Sequence, residues 1–209
     1  MMFSLENLTS ALGGIGVKAQ GVAAVLFQQL AAAHSQPDRH YHNQDHVAAC
    51  LRLLQAHQSL ASQPAEIAVA FWFHDAVYDA QRGDNEEESA AWAMRFLAEQ
   101  NVAQSTIDRI EALILATKTH DTLVDDDQKL MIDIDLAILG QPPAVFAAYD
   151  AAIRREYAWV EEEKYRVGRT AVLTKFLQKE YIYQTEPFQR RYEAQARTNL
   201  ARAIAQLND

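Results

Sequence analysis

Ile67-Ala68-Val69-Ala70-Phe71-Trp72-Phe73 is the stretch that decides the fold of this chain, because seven apolar residues follow one another without a polar side. A helix that is apolar on every side must be surrounded by other elements, and Pro64 suits the first turn of such a helix. The stretch therefore predicts a central helix over about 65–77. His74 and Asp75 follow directly, and their burial is costly unless a partner or an ion compensates it.

The rest of the sequence favours helices around this segment. Seven Gly and five Pro in 209 residues leave few breaks, and 49% hydrophobic residues supply a core. We predict an all-α fold, a single compact multi-helix domain over residues 1–209, in which Gly13–Gly16 form a flexible lead-in and Val22, Val25, Leu26 and Leu30 face the core. The other predicted helices cover about 17–33, 41–60, 85–100, 105–117, a stretch ending at Gly140, 144–165, 170–183 and 187–207.

Charge and cysteine content exclude several classes of protein. The net charge is −9, and no Lys/Arg cluster is long enough to follow a phosphate backbone, which disfavours a duplex nucleic acid partner. The single cysteine, Cys50, is predicted to be buried and cannot form an internal disulfide, which agrees with a reducing compartment. The first ten residues lack a signal pattern, and the longest apolar region, Ala11–Ala33, is interrupted by polar residues. We therefore expect a cytoplasmic protein without a membrane partner, and the sequence leaves a homodimer open.

Three segments place metal-ligand types of side chain within apolar surroundings. The side chains concerned are His42 and His46, His74 and Asp75, and Asp133 and Asp135. The first two are four residues apart and share one face if the segment is helical. Each pair alone is common, since a single histidine on an apolar face is usually a satisfied core residue. Three such pairs on separate helices are how helical bundles build metal sites from facing side chains.

The order His … His-Asp … Asp on helices resembles the signature of the HD-domain phosphohydrolase superfamily. His46, His74, Asp75 and Asp135 fit it. Longer stretches are similar to one bacterial branch, the predicted metal-dependent HD-superfamily phosphohydrolases, and together they span about residues 30–205. These stretches are Arg39–Asn43 with His46-Val47, Phe73–Asp79, Asp84–Glu86 with Ser89, Asp133–Gly140, Gly168-Arg169 and Ala196–Leu200.

The resemblance implies an HD-type helical fold and a role for each matched residue. His46, His74, Asp75 and Asp135 would be the metal ligands. The Tyr-His-Asn-x-x-x-His arrangement is also similar to cyclic-nucleotide phosphodiesterases, which implies that His42 is the general acid. The family pattern favours Asp135 over Asp133 as ligand. The two lie about 200° apart around a helix axis, so only one can face the ion, and Asp133 is expected to cap, orient or face water.

Two imidazoles and two carboxylates form a site that suits Mn, Fe, Co, Ni or Zn better than Ca, and Mg is compatible with it. The expected reaction is hydrolysis of a phosphate ester or anhydride in a nucleotide or a similar small phosphorylated metabolite. In this interpretation Asp75 both binds the ion and holds the attacking water, while His42 protonates the leaving oxygen.

Several other polar residues are candidates for contact with substrate or for support of the ligands. They are Asp79, Glu86, Lys118, His120 and Arg169, with Arg39 and Arg197 as further phosphate-binding candidates. The alternative is that they pair with neighbouring charges or with helix ends, and the run Asp125–Asp127 is interpreted as a helix cap and solvated face.

Two other functions remain open from the sequence. A non-catalytic HD module would sense a nucleotide or a metal, and its sign would be a missing ligand, which this sequence does not show. A di-iron HD oxygenase would need additional histidines between His74-Asp75 and the last aspartate, and only His120 lies there.

Overall fold

The computed structural model describes residues 3–18, 20–119 and 125–208, and over this range the chain is all-helical, as predicted. Its residue contacts group into two compact units, Met1–Ile134 and Asp135–Asp209. The expectation of a single domain stays a prediction. Within the described residues no single helix has both the length and the apolar character needed to cross a membrane, although one bent pair of consecutive helices reaches that threshold when its members are counted together.

The elements of the first unit are six whole helices, a short 3-10 turn at Gln58–Leu60, and a seventh helix whose last residue opens the second unit. They are α1 (Leu5–Gly14), α2 (Gln20–Ala33), α3 (Gln44–Ala56), α4 (Pro64–Phe73), α5 (Asn85–Glu99), α6 (Gln104–Thr119) and α7 (Asp126–Asp135). The second unit continues with a 3-10 segment and three helices. These are Leu136–Gly140, α8 (Pro143–Glu156), α9 (Glu162–Leu177) and α10 (Glu186–Asn208).

Helix α4 is the centre of the first unit. Every residue from Ile67 to Phe73 is at most 5% exposed, and α1, α3, α5 and α6 all pack against the helix. Burying each large apolar side chain contributes roughly 1.5–3 kcal/mol, and the segment forms the surrounded central helix that the sequence predicted. The helix ends at Phe73, earlier than expected, and His74 and Asp75 lie in the turn that follows it.

The amino end of α4 is held by charged groups from other helices. Both carboxylate oxygens of Asp127 accept backbone N–H groups just before the helix, from Ser62 at 2.6 Å and from Gln63 at 2.8 Å. One turn further on, the buried Glu66 carboxylate accepts two bonds from the Arg109 guanidinium, at 2.6 and 2.7 Å. Both carboxylates at this end are thus paired with donors.

The acidic residues Asp125–Asp127, at the start of α7, bond to two different helices. Asp125 accepts the N–H groups of Asp127 and Gln128, each at 3.0 Å, and so caps α7 as predicted. Asp126 is exposed and pairs with Lys129. Asp127, however, is buried and bonds to the start of α4, so the expectation of a solvated face is wrong for this residue.

Helix α1 was not expected. Ser4 caps its amino end by accepting the N–H of Asn7, and Leu8 and Leu12 are buried. The predicted flexible lead-in is wrong at Gly13 and Gly14, which form the end of this helix. A Cβ atom on Gly14 would lie 2.6 Å from the Cβ of Ala65, so only glycine permits this close approach of α1 to α4.

The inward face of α2 also differs from the prediction. Its buried residues are Ala23, Leu26 and Leu30, while Val25 is 57% exposed and faces solvent. The spacing of i, i+3 and i+7 places the three buried residues on one side, and Val25 lies more than about a third of a turn away from the centre of that side. In the neighbouring helix α3, Cys50 is 2% exposed, as predicted.

In the second unit, α10 packs against the 3-10 segment and α9. Asn199 donates to the carbonyls of Leu139 and Gln141, each at 2.8 Å, and so fixes the end of the 3-10 segment. A Cβ atom on Gly140 would lie 2.5 Å from the Cβ of Tyr192, which explains the glycine at this position.

The predicted helices over 144–165 and 170–183 are wrong in their boundary. The helical structure is interrupted at residues 157–161, between α8 and α9, where the sequence has no Gly or Pro to predict the end of a helix. Arg154 holds this break, since its guanidinium donates to the carbonyls of Tyr157 at 2.7 Å and of Val160 at 3.3 Å. The Arg154 side chain therefore supplies hydrogen bonds to carbonyls that would accept backbone N–H groups in a continuous helix.

Candidate metal centre

Three ligand-type side chains meet at the carboxyl end of α4. His46 comes from the first turn of α3, while His74 and Asp75 come from the turn after α4. Nε2 of His74 lies 3.0 Å from Nε2 of His46 and 3.0 Å from Oδ2 of Asp75, and the remaining pair, His46 Nε2 and Asp75 Oδ2, is 3.4 Å apart. The two imidazoles are buried, and the Asp75 side chain is 17% exposed, so one edge of the group meets solvent.

These separations fit a single bound ion. Ligand atoms about 2.1 Å from a transition metal are about 3.0 Å apart at right angles and about 3.4 Å apart at tetrahedral angles. The three distances lie within that interval. His46, His74 and Asp75 can therefore hold one metal ion from a single side, and we call this group the candidate metal centre.

The protonation of His74 supports the same interpretation. Its Nδ1 lies 3.0 Å from the carbonyl oxygen of Phe71, which can only accept, so Nδ1 carries the hydrogen. In the neutral ring Nε2 then presents a lone pair to His46 and Asp75. A backbone carbonyl that fixes the tautomer in this way is the usual support for a metal-binding histidine.

The charge of Asp75 is set by its neighbours. Burial raises the pKa of this carboxyl, but protonated imidazoles outweigh that effect: His74, when its ring is charged, attracts the carboxylate and donates to it, and His42 and His46 add smaller attractions, so the pKa lies well below its usual range. The carboxylate is therefore ionised at neutral pH, which is the form that binds a cation.

His42 lies beside this centre but not in the expected element. It precedes α3, in a bend that Asn43 closes by accepting the N–H of Asp45 at 2.9 Å, so the prediction that it shares a helix face with His46 is wrong. Its imidazole stacks on the Tyr78 ring, with 4.3 Å between centroids, and lies 6.0 Å from the His46 ring. The bend, rather than helical periodicity, brings the two histidines together.

The aspartates of α7 are both placed by the structure. Asp133 is fully buried, so the option that it faces water is excluded. Asp135 is half-buried and is the last residue of α7 and the first of the second unit. Its role as a ligand stays a prediction.

Of the other candidates in the first unit, Lys118 and Asp79 have partners other than the three ligands. Lys118 bonds to the Glu87 carboxylate and donates to the Gly83 carbonyl at 2.8 Å. Asp79 is exposed, and its carboxylate accepts the N–H of Gln81 at 2.8 Å within a turn. Glu86 is half-buried in the first turn of α5. The prediction for His120 falls outside the described residues.

Two arginine candidates lie in the second unit. Arg169 is buried, pairs with Asp150 at 2.8 Å, and lies over the Tyr149 ring at 5.4 Å. Arg197 pairs with Glu193 at 2.8 Å and donates to the carbonyl of Glu180 at 2.7 Å. Both guanidinium groups thus pair with an acid of their own unit, which is the alternative to phosphate binding that the sequence left open, and Arg197 also binds backbone carbonyls.

The sequence did not single out His34. This residue is 1% exposed at the end of α2, with Nε2 3.4 Å from the Trp72 carbonyl and Nδ1 3.5 Å from the Arg39 guanidinium. Burial and then the charge of Arg39 lower its pKa from 6.5 to about 3. No local signal separates such a residue from an ordinary core histidine, because its partners are distant or follow a Pro-containing break.

Comparison with known proteins adds no relative: no family model matches the chain, and neither does a curated protein or a solved structure. The candidate metal centre is supported by its residue chemistry and by the distances among its ligand atoms.

Proposed function

We propose that this protein is a metal-dependent phosphohydrolase of the HD type, whose ion is held by His46, His74 and Asp75. The observation that carries the proposal is the meeting of two imidazole nitrogens and one carboxylate oxygen within 3.0–3.4 Å of one another. The sequence pattern adds Asp135 as a fourth ligand, and that addition rests on the resemblance alone.

A bound divalent ion supplies an activated water, with a pKa lowered to about 7, and offsets negative charge on a phosphoryl group. The protein's own residues do the rest. Asp75 keeps an exposed edge, from which a carboxylate oxygen can orient the attacking water towards phosphorus. His42, as imidazolium, donates its proton to the leaving oxygen, and its stack on Tyr78 holds the plane of the ring.

The proposed substrate is a small phosphate ester or anhydride, with nucleotides as the first class to screen. The net charge of −9 repels an anion in general, but a bound cation reverses the sign of the field locally. The reaction is a hydrolysis, in which water attacks phosphorus and the leaving alcohol or phosphate takes up a proton.

The test replaces His42 with alanine and follows two quantities. Loss of a general acid lowers kcat by roughly 100- to 10,000-fold, while metal content, measured on the same preparation, stays at the wild-type level. His40→Ala is the matched control, since His40 is an exposed histidine of the same segment. The measurement is phosphate release from nucleotides and aryl phosphates by protein loaded with Mn²⁺ or Co²⁺.

Parallel loss of metal and turnover in His42→Ala would contradict its assignment as acid. Two other functions give different results in the same assay. Two histidines and one carboxylate are also the ligand set of non-haem iron oxygenases, so oxygen uptake without phosphate release by the iron-loaded protein would favour that class. Tight nucleotide binding with neither reaction would favour the sensing module.

A further inference from the structure

Arg39 bonds to both segments that carry the candidate metal centre and its acid. The residue is 6% exposed. Its Nη1 donates to the carbonyl of His42 at 3.2 Å and, by a shorter bond, to the carbonyl of Asp75. Its Nη2 donates to the carbonyl of Ala76 at 3.1 Å. One guanidinium thus joins the bend before α3 to the turn after α4.

The guanidinium has further contacts with Gln36 and His34. Its Nε donates to Oε1 of Gln36 at 3.2 Å, and Nη1 lies 3.5 Å from Nδ1 of His34. His34 continues the chain of contacts, because its Nε2 lies 3.4 Å from the Trp72 carbonyl in the last turn of α4. The group also lies over the Tyr78 ring at 5.5 Å, the same ring on which His42 stacks.

The turn after α4 needs such a donor. The last carbonyls of a helix and those of a turn that follows have no helical partner, and an unsatisfied buried carbonyl costs free energy. A cation near the carboxyl end of a helix is also favoured by the helix dipole. Arg39 meets both conditions, and its donors bind protein acceptors, which argues against the expectation that it grips a phosphate.

We propose that Arg39 is a positioning residue, which sets the placement of the Asp75 ligand turn relative to His42 by binding both backbones at once. The proposal rests on the proposed function and goes beyond it, because it assigns the geometry of the site to a residue that touches neither ion nor substrate. Lysine cannot replace it, since an ammonium lacks the planar fork that reaches two carbonyls in fixed directions.

The experiment titrates full-length Arg39→Lys with Co²⁺ alone and follows the visible absorption of the bound ion. Supports of metal ligands contribute about 10- to 100-fold to affinity, and we expect a loss of that size per folded protein. The matched control is Arg109→Lys, which removes another forked guanidinium pair, the one with the buried Glu66, from the same unit. This control should bind Co²⁺ as the wild type does, which separates positioning from a general loss of stability.

A second variant covers the case in which Arg39→Lys does not fold. Gln36 is exposed, and Gln36→Ala removes the side-chain bond that orients Nε, so it should fold and lose affinity in the same direction, by less than the loss of about 10-fold that marks a direct support of a ligand. Wild-type affinity in folded Arg39→Lys, or in Gln36→Ala if the first variant is unfolded, overturns the inference. Wild-type protein that binds no Co²⁺ overturns the proposed function instead.

Discussion

The two ends of α4 both bury ionisable side chains, but they differ in what those side chains face. At the amino end, Glu66 faces the guanidinium of Arg109, and Asp127 faces two backbone N–H groups. At the carboxyl end, when the His74 ring is neutral, its lone pair and those of Asp75 face each other and a second imidazole. Each carboxylate at the amino end has a donor, whereas with neutral rings the three ligand atoms at the carboxyl end share at most one hydrogen.

This difference separates a structural cluster from a ligand site. A buried polar group that has a protein partner is satisfied, and its removal affects stability alone. Acceptors that converge without enough hydrogens between them gain from a cation, because one ion satisfies several lone pairs at once. The two ends of α4 can therefore be compared within one protein. Changes at the amino end should lower stability, and changes at the carboxyl end should lower affinity for the ion.

The largest effect is expected from Asp75→Asn at the carboxyl end. This change keeps the shape of the side chain but removes the charge and one strong ligand. Loss of a direct ligand costs more than loss of its support, so Co²⁺ affinity should fall by more than about 100-fold. Because an ion that binds only the folded protein stabilises it, the same ion should raise Tm of the wild type and leave that of the variant unchanged.

Glu66→Gln, at the amino end, is the control for this first prediction. It also neutralises a buried carboxylate of α4, yet it lies away from the three ligand atoms, and Co²⁺ should bind it with wild-type affinity. Equal Co²⁺ affinities of wild type and Asp75→Asn would contradict the distinction between a ligand site at the carboxyl end and a structural cluster at the amino end.

A smaller effect is expected from Asp127→Ala. The change removes the carboxylate that caps Ser62 and Gln63 before α4, and loss of such a cap lowers the free energy of unfolding by about 2 kcal/mol at a partly buried site. Urea denaturation of metal-free protein measures the loss, and Co²⁺ affinity of the folded variant should be unchanged. Asp126→Ala, one residue earlier and exposed, should change the urea midpoint little. A variant at Asp127 that keeps its stability but loses the ion would reverse the assignment of the two ends.

The sequence predicted what depends on local pattern. The unbroken apolar run identified the central helix, and the order of His46, His74 and Asp75 anticipated the residues that meet at its end. The prediction from sequence failed where the local structure depends on residues far away in the sequence. Gly14 was assigned to a flexible lead-in, but it is the last residue of a helix, and the close approach of Ala65 explains the glycine there.

Two other features could not be predicted for the same physical reason. The break after α8 has no Gly or Pro and depends on a side chain, Arg154, that turns back to bind the carbonyls of the break. The roles of His34 and Arg39 depend on carbonyls about 40 residues further along the chain, since Trp72 and Asp75 are brought to them only by packing. Spacing within a motif carries no information about such contacts.

The smallest effect concerns His34, which touches the carboxyl end of α4 but resembles the groups at the amino end. Its two nitrogens face the Trp72 carbonyl and the Arg39 guanidinium, and burial and this neighbouring charge lower its pKa from 6.5 to about 3. Below pH 6.5 His34 binds a proton in the unfolded chain but not in the folded protein. The free energy of unfolding therefore falls as the pH falls, until about pH 3. Between pH 7 and 5.5 this loss is about 1 kcal/mol.

His34→Gln has no such proton, so its free energy of unfolding should fall less than that of the wild type over the same interval. Urea titrations with a chelator present measure the difference, because the chelator prevents metal release from adding its own pH dependence. Ile114→Val, a buried change without a titrating group, should keep the wild-type slope. If His34→Gln keeps it as well, then His34 is protonated in the folded protein. In that case two positive side chains, His34 and Arg39, lie side by side at the carboxyl end of α4, and His34 differs from the carboxylates at the amino end, which are paired with donors.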